Sequence, residues 1–326
     1  MVNRYGMFTP VAAVALLVGA ATEPIAHAAS TPVTLLAADG PLSGSQTAII
    51  IGGTVEPTPS VDFARSAQAL YLNALGFDIE ANGSTVCYMD GTDPCSAALQ
   101  VLTTPQLIQQ GHSTLTGASN LVLAVQNALA ADPDAYSAER PLTVFGYSQG
   151  AAVGSVAMTQ LAAAGVPSEL LHFVFIGSPT TADGIWLNVL STLELVFGPD
   201  ITDFIVKLFD LEPVLGLVTP NDLYPATIFS IGNDFASDWQ GNFDTWGLWG
   251  ELVPGLIRHG EYLGLTPDQI ADATTSTDGY LTYVDISDDI DNIGAAVNAI
   301  TTGGILNSGL FESLYDSLIF ALTNSF

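Results

Sequence analysis

Positive charge is nearly absent from this sequence. Five residues are Lys or Arg (Arg4, Arg65, Arg140, Lys207 and Arg258) against 33 Asp and Glu, a formal net charge of −28 over 326 residues. No basic patch can be assembled from so few cations, which argues against nucleic acid as a partner and disfavours an anionic membrane surface. Neutral or lipid-like substrates remain open, and the acidity itself reads as solubility through self-repulsion. Cysteine is scarce, with only Cys87 and Cys95. Two cysteines without nearby histidines make a poor metal site. No H-E-x-x-H, no P-loop and no G-x-G-x-x-G after a strand occurs, so neither a metal nor a nucleotide cofactor is expected. The N-terminal apolar stretch, Val11 to Ala21, is too short for an ordinary membrane span.

That stretch has another reading. Arg4 supplies a positive start, Val11 to Ala21 an apolar middle, and Ala26-His27-Ala28 an A-x-A cleavage site. The expectation is a signal peptide over residues 1–28, cleaved after Ala28, and export of residues 29–326. An uncleaved anchor is the alternative. In an oxidising compartment Cys87 and Cys95, with Gly91 and Pro94 between them, read as a disulfide closing a small surface loop. No internal repeat and no Gly/Ser linker divides the rest, so residues 29–326 read as one domain.

Gly146-Tyr147-Ser148-Gln149-Gly150 has the form G-x-S-x-G. Apolar Leu142 to Phe145 precedes it and small residues, Ala151 to Met158, follow it. Strand, sharp turn and helix are the context in which this motif exposes a nucleophilic serine. The Gln149 N–H, at the helix start, can face a developing oxyanion.

Other buried-strand runs are Thr47 to Ile51, Leu170 to Ile176 and Ala226 to Ile231. The first ends in Gly52-Gly53-Thr54, where a hydrolase of this type places a second oxyanion donor. Ser60 can cap a helix from about Val61 to Leu75, and a further helix is expected from Gly117 to Ala131, with Leu121, Leu123, Val125 and Leu129 on its buried face. Between residues 183 and 220, apolar residues crowd two short amphipathic segments that read as a lid-like helical insert. The last segment, residues 305–326, repeats leucines every four residues and reads as a docked helix.

A serine nucleophile needs a histidine base and an acid to orient it. His112 lies before the serine in an expected glycine-flanked loop, and His172 lies within a strand. His259 lies after both and outside a strand, and is the expected base. The acid is Asp234 or Asp238, which follow the Ala226 strand four residues apart. Asp234 is preferred because it leaves the strand directly, while Asp238 could support the loop. Strands alternating with helices, and the order serine, acid, histidine, fit an α/β-hydrolase fold: a mostly parallel central sheet flanked by helices.

With these residues in place, the sequence resembles the PE-PPE domain family of mycobacterial serine α/β-hydrolases, which are related to cutinases. Gly52-Gly53-Thr54 with Pro57-Thr58-Pro59 resembles its G-G-T-x-x-P-T-P segment, and the Ser148 motif its G-Y-S-Q-[SG] centre. Phe173 to Pro179 resembles its F-V-x-I-G-[ND]-P strand, and His259-x-x-Tyr262 its H-x-x-Y. The resemblance implies Ser148 as nucleophile, His259 as base and the Gly53-Thr54 backbone as oxyanion donor. The family's Y-D-G-x-x-D-F-P acid segment is altered here, though Asp234 and Asp238 both remain. Where family members carry a PE or PPE helical domain in front, this sequence shows the signal-like segment.

The function expected is an exported serine esterase or lipase that forms an acyl-enzyme on Ser148, peripheral to the cell envelope at most. The alternative is an envelope acyltransferase that passes the acyl chain to a glycolipid or a sugar such as trehalose. A third class, a non-catalytic envelope binding protein, predicts a missing triad member, and none is missing.

Overall fold

The structure, a computed structural model, describes residues 40–77, 85–91, 95–239 and 255–287. The expected signal peptide and the expected helix over residues 305–326 lie outside these.

Four apolar runs form the centre of one sheet: β1 (Ala48–Ile51), β4 (Leu142–Tyr147), β5 (Leu171–Ile176) and β6 (Ala226–Ile231). Helices cover both faces, so both sets of alternating side chains must be apolar and the runs are continuous. β2 (Val86–Met89), β3 (Leu99–Leu102), β7 (Thr274–Asp278) and β8 (Leu281–Ile286) complete eight strands in the order β2-β3-β1-β4-β5-β6-β8-β7. Every pairing is parallel except that of the β7–β8 hairpin. This is the mostly parallel sheet with flanking helices that the sequence predicts.

Register brings the strand ends that matter together. Ile51 pairs with Gly146, Tyr147 with Ile176, and Ile176 with Phe229. The loops leaving β1, β4, β5 and β6 therefore emerge side by side at the carboxyl edge, where ligands bind in open α/β sheets.

On one face α1 (Val61–Ala67) buries Phe63 and Ala67 with Tyr71, Phe145 and Phe229. Ser60 caps it, accepting the Phe63 N–H at 3.1 Å. The helix continues as a wider turn over Gln68–Leu72 and a tighter one over Asn73–Leu75, so the expected span to Leu75 is met. On the other face lie α2 (Gln110–Ala131) and α3 (Gln149–Ala163), packed over Val144, Phe173 and Phe175.

α2 begins seven residues before the expected Gly117. Its first N–H groups meet a distant partner: Gln110 and Gly111 donate to the Phe209 and Asp210 carbonyls at 2.8 Å each, and His112 to the Asp210 carboxylate at 2.6 Å. These orphan donors need acceptors, and here they come from 98 residues away. His112 is thus helical, not in a loop. Along α2, Leu121 and Val125 are buried and Leu129 is partly so, but Leu123 is 41% exposed and does not share that face.

The insert after β5 forms α4 (Ile185–Phe197) and α5 (Pro199–Leu208), hinged at Gly198 with φ 73°. Ile185, Trp186, Val189 and Leu193 join Leu211, Val214 and Trp239 in a separate apolar cluster. α6 (Pro267–Ala271) starts as the sequence predicts, with a Thr266–Gln269 capping box. Cys87 and Cys95 form a disulfide between the β2 strand and the approach to β3. Among the described residues no helix is long and apolar enough to cross a membrane.

Candidate active site

β4 ends in a backbone that most residues avoid. Ser148 has φ 53° and ψ −116°, a positive φ that costs free energy in any residue with a Cβ. Its N–H donates to the Ile176 carbonyl at 3.0 Å, tying the turn to β5. The flanking glycines make the turn possible. A Cβ on Gly146 would sit 2.5 Å from the Gly150 carbonyl oxygen, and one on Gly150 would sit 2.6 Å from that of Gly52. The turn sets the serine hydroxyl at the sheet edge and leaves it only half-buried.

His259, in a helical segment at residues 255–261, reaches it. Its Nε2 lies 2.7 Å from Ser148 Oγ and its Nδ1 lies 2.9 Å from Asp234 Oδ1. An ionised carboxylate only accepts, so the network assigns the Nδ1 proton to the Asp234 bond and leaves Nε2 free to accept from serine. The imidazole stacks on Tyr147 with ring centroids 5.2 Å apart, and the Tyr147 hydroxyl donates to the His259 carbonyl.

Asp234 leaves β6 directly and is fully buried. Burial pushes its carboxyl up, but His259 and several hydrogen bonds outweigh that and hold it below the ordinary aspartate value. Oδ1 also accepts the Ala236 N–H at 2.8 Å, while Oδ2 accepts the Ser237 and Tyr262 hydroxyls at 2.7 Å each. The choice between the two aspartates is therefore visible in the geometry. Asp238 instead accepts the Asn233 N–H at 2.7 Å and braces a turn in which Asn233 has φ 59°.

The three expected oxyanion donors are placed differently. The Gln149 backbone N–H heads α3, directly after Ser148. The Gln149 side chain is buried, donating to the Leu107 carbonyl at 3.0 Å and to Gln110 Oε1 at 2.9 Å. Gly53 lies against the serine: a Cβ there would be 3.3 Å from Ser148 Cβ. Its carbonyl accepts the Glu56 N–H at 3.0 Å, closing the turn that follows. Thr54 follows, its hydroxyl accepting from Gln110 Nε2 at 3.2 Å. Val55 then adopts φ 64°, rare for a β-branched residue, and donates its N–H to the Gln106 carbonyl at 2.6 Å.

These groups open into a cavity of about 460 Å³ lined mainly by apolar side chains from the insert, among them Ile185, Trp186, Val189 and Ile205, with Trp239 and Leu256. Glu56 also lines it. Although only half-buried by surface area, its carboxyl is pushed up to about 8 by burial, with the nearby Gly53 backbone opposing the shift.

His172 takes no part. It is buried in β5, its Nε2 lies 3.0 Å from Thr227 Oγ1, and burial lowers its pKa to about 4. Among the described residues no group of His, Cys, Asp and Glu could hold a metal ion. Sequence reasoning did not single out Tyr262, Ser237 or Glu56 as site residues. Tyr262 carried a signal in its fixed spacing from His259; the other two carried none.

The PE-PPE domain model matches residues 95–238, which include Ser148, Asp234 and Asp238 but neither His259 nor the Gly53 loop. The resemblance to that family is thus borne out over this stretch. Two relatives come from Mycobacterium tuberculosis (strain ATCC 25618 / H37Rv). The chain is 28% identical over 243 residues to an uncharacterized PPE family protein, PPE28, covering 70% of this chain and 31% of that protein. It is 27% identical over 253 residues to Esterase PE16, covering 74% of this chain and 42% of that protein. The chain therefore spans less than half the length of either. Among solved structures, the NocB thioesterase domain from the nocardicin cluster is 13% identical with a TM-score of 0.33, over 86% of this chain and 96% of that one. A likeness of that size carries no functional argument.

Proposed function

Starting from a PE-PPE domain match over residues 95–238, we propose that this protein is a serine esterase acting on acyl esters of apolar acids. One observation carries the reading: His259 bridges Ser148 Oγ and Asp234 Oδ1 at the mouth of an apolar cavity.

In the proposed reaction Ser148 Oγ attacks the acyl carbonyl carbon while His259 Nε2 takes the Oγ proton. Asp234 stabilises the imidazolium. The carbonyl oxygen becomes an oxyanion facing the Gln149 N–H. Its collapse breaks the ester C–O bond, and the leaving alkoxide takes the proton from His259 Nε2. A second nucleophile then attacks the acyl-enzyme with its proton passing to Nε2, and Ser148 Oγ leaves with that proton.

Water as the second nucleophile gives an esterase or lipase. An acyltransferase, in which a glycolipid or sugar hydroxyl attacks instead, is the second reading, favoured by how little polar surface the cavity offers to water. Incubating the purified protein with a long-chain acyl ester, with and without trehalose, separates them. Free fatty acid alone supports hydrolysis; acylated trehalose supports transfer; neither product sinks both. The apolar insert supports a lipid acyl group as cargo. We further propose export by the N-terminal segment, with cleavage after Ala28. N-terminal sequencing of the secreted protein tests this, and an intact Met1 contradicts it.

A further inference from the structure

We propose that Gln110 is a positioning residue of the oxyanion site: its side-chain amide ties Gln149 to Thr54 and leaves the Thr54 hydroxyl proton to donate to the developing oxyanion. The inference rests on the acyl-enzyme reading of Ser148.

The direction of each hydrogen bond follows from one fixed end. The Leu107 carbonyl can only accept, so the Gln149 atom 3.0 Å from it is the amide Nε2. The same Nε2 lies 2.9 Å from Gln110, which must present its Oε1 there. That turns Gln110 Nε2 towards Thr54 Oγ1, at 3.2 Å. An amide nitrogen only donates, so Thr54 Oγ1 accepts and keeps its own proton for another partner. Among the described residues no acceptor takes that proton. Behind the chain, Ser113 Oγ donates to Gln149 Oε1 at 3.4 Å and accepts the Leu107 N–H at 2.9 Å, so the buried Gln149 amide is held on both sides.

The two ends of this chain flank the nucleophile. Gln149 follows Ser148 directly, and Thr54 follows Gly53, where a Cβ would lie 3.3 Å from Ser148 Cβ. Ser148, Gln149, Gln110 and Thr54 all line the one cavity. Gln110 is itself fixed at the start of α2, its N–H donating to the Phe209 carbonyl at 2.8 Å. The Thr54 loop is pinned to the same neighbourhood: Val55, at φ 64°, donates to the carbonyl of Gln106, itself at φ 47°, at 2.6 Å. Strain of this kind persists only where the surroundings enforce it, and it clusters at functional sites. The cavity lining is mainly apolar and includes neither Lys nor Arg. In so weakly polar a site an oriented hydroxyl is worth far more to an oxyanion than in water. A staple that merely held α2 to the loop would not depend on where the Thr54 proton points.

The test measures kcat and KM for 4-nitrophenyl octanoate in wild type, Thr54→Val, Thr54→Ser, Gln110→Met and the Thr54→Val/Gln110→Met double variant. Labelling of wild-type Ser148 by a fluorophosphonate is followed in parallel. Thr54→Val removes the donor and is expected to lower kcat about 10²-fold with KM little changed. Thr54→Ser returns the hydroxyl and is expected to recover most of that loss. Gln110→Met keeps the side-chain length without the amide, frees the hydroxyl to turn away, and is expected to lower kcat about tenfold. In the Thr54→Val background the same change is expected to cost less than about twofold, because no hydroxyl is left to orient. Additive losses, a Gln110→Met with wild-type kcat, or a Thr54→Ser no better than Thr54→Val overturn the proposal. So does a Thr54→Val whose kcat stays within about threefold of wild type, an outcome that needs no Gln110 variant to fold. Gln110→Asn, which withdraws the amide from both partners, replaces Gln110→Met if the latter does not fold. A wild type that neither turns over nor labels overturns the esterase reading itself, and the proposal with it.

Discussion

The Tyr262 hydroxyl donates to Asp234 Oδ2 at 2.7 Å, on the carboxylate oxygen that His259 does not use. The same hydroxyl accepts the Ile231 N–H at 2.9 Å, so one phenol joins the end of β6 to the acid that follows it. The three-residue spacing of His259 and Tyr262 thus delivers the base and the support of its acid from one helical segment. Tyr262→Phe removes a donor from a buried carboxylate and an acceptor from a buried N–H. A loss of about 1–3 kcal/mol is expected, read by denaturant unfolding, with kcat falling more than KM changes. Unchanged stability and kcat would remove Tyr262 from the site.

The two aspartates should separate cleanly. Asp234→Asn leaves His259 without the carboxylate that fixes its tautomer, and kcat is expected to drop about 10⁴-fold. Asp238→Asn weakens a turn brace and should stay within about threefold of wild type in kcat. The reverse order would transfer the acid role to Asp238.

Gly150→Ala places a Cβ 2.6 Å from the Gly52 carbonyl oxygen, backbone against backbone. Neither side can give cheaply, so a loss of about 1–3 kcal/mol in unfolding free energy is expected. Displacing the Gly52-Gly53 loop from the Ser148 turn should lower kcat as well.

His172 makes stability depend on pH. Its folded pKa of about 4 lies below the ordinary 6.5, so the unfolded chain binds the proton first. This contribution is complete above pH 6.5 and is lost as pH falls towards 4, up to about 3 kcal/mol. Denaturant unfolding between pH 4 and 7 should show a shallower pH slope in His172→Gln than in wild type.

Much of this was legible in the sequence because it is local. β1, β4, β5 and β6 announce themselves as apolar runs, Ser60 and Thr266 as caps, and Gly146 to Gly150 as a turn whose two glycines meet backbone. The order of Ser148, Asp234 and His259 follows from chain connectivity. What escaped is non-local or stereochemical. The start of α2 is capped by Asp210, and no window of sequence contains both. Asp234 and Asp238 differ by a single turn, and which one faces His259 depends on Asn233 at φ 59°. The turn in which the Glu56 N–H meets the Gly53 carbonyl depends on Val55 at φ 64°, a conformation that propensity argues against.

The central claim is that Ser148 is a nucleophile activated by His259. Intact-mass analysis after exposure of the folded protein to a fluorophosphonate tests it most directly. The account predicts one adduct on wild type, none on Ser148→Ala and strongly slowed labelling of His259→Ala. An unlabelled wild type, or an adduct that survives in Ser148→Ala, would contradict it.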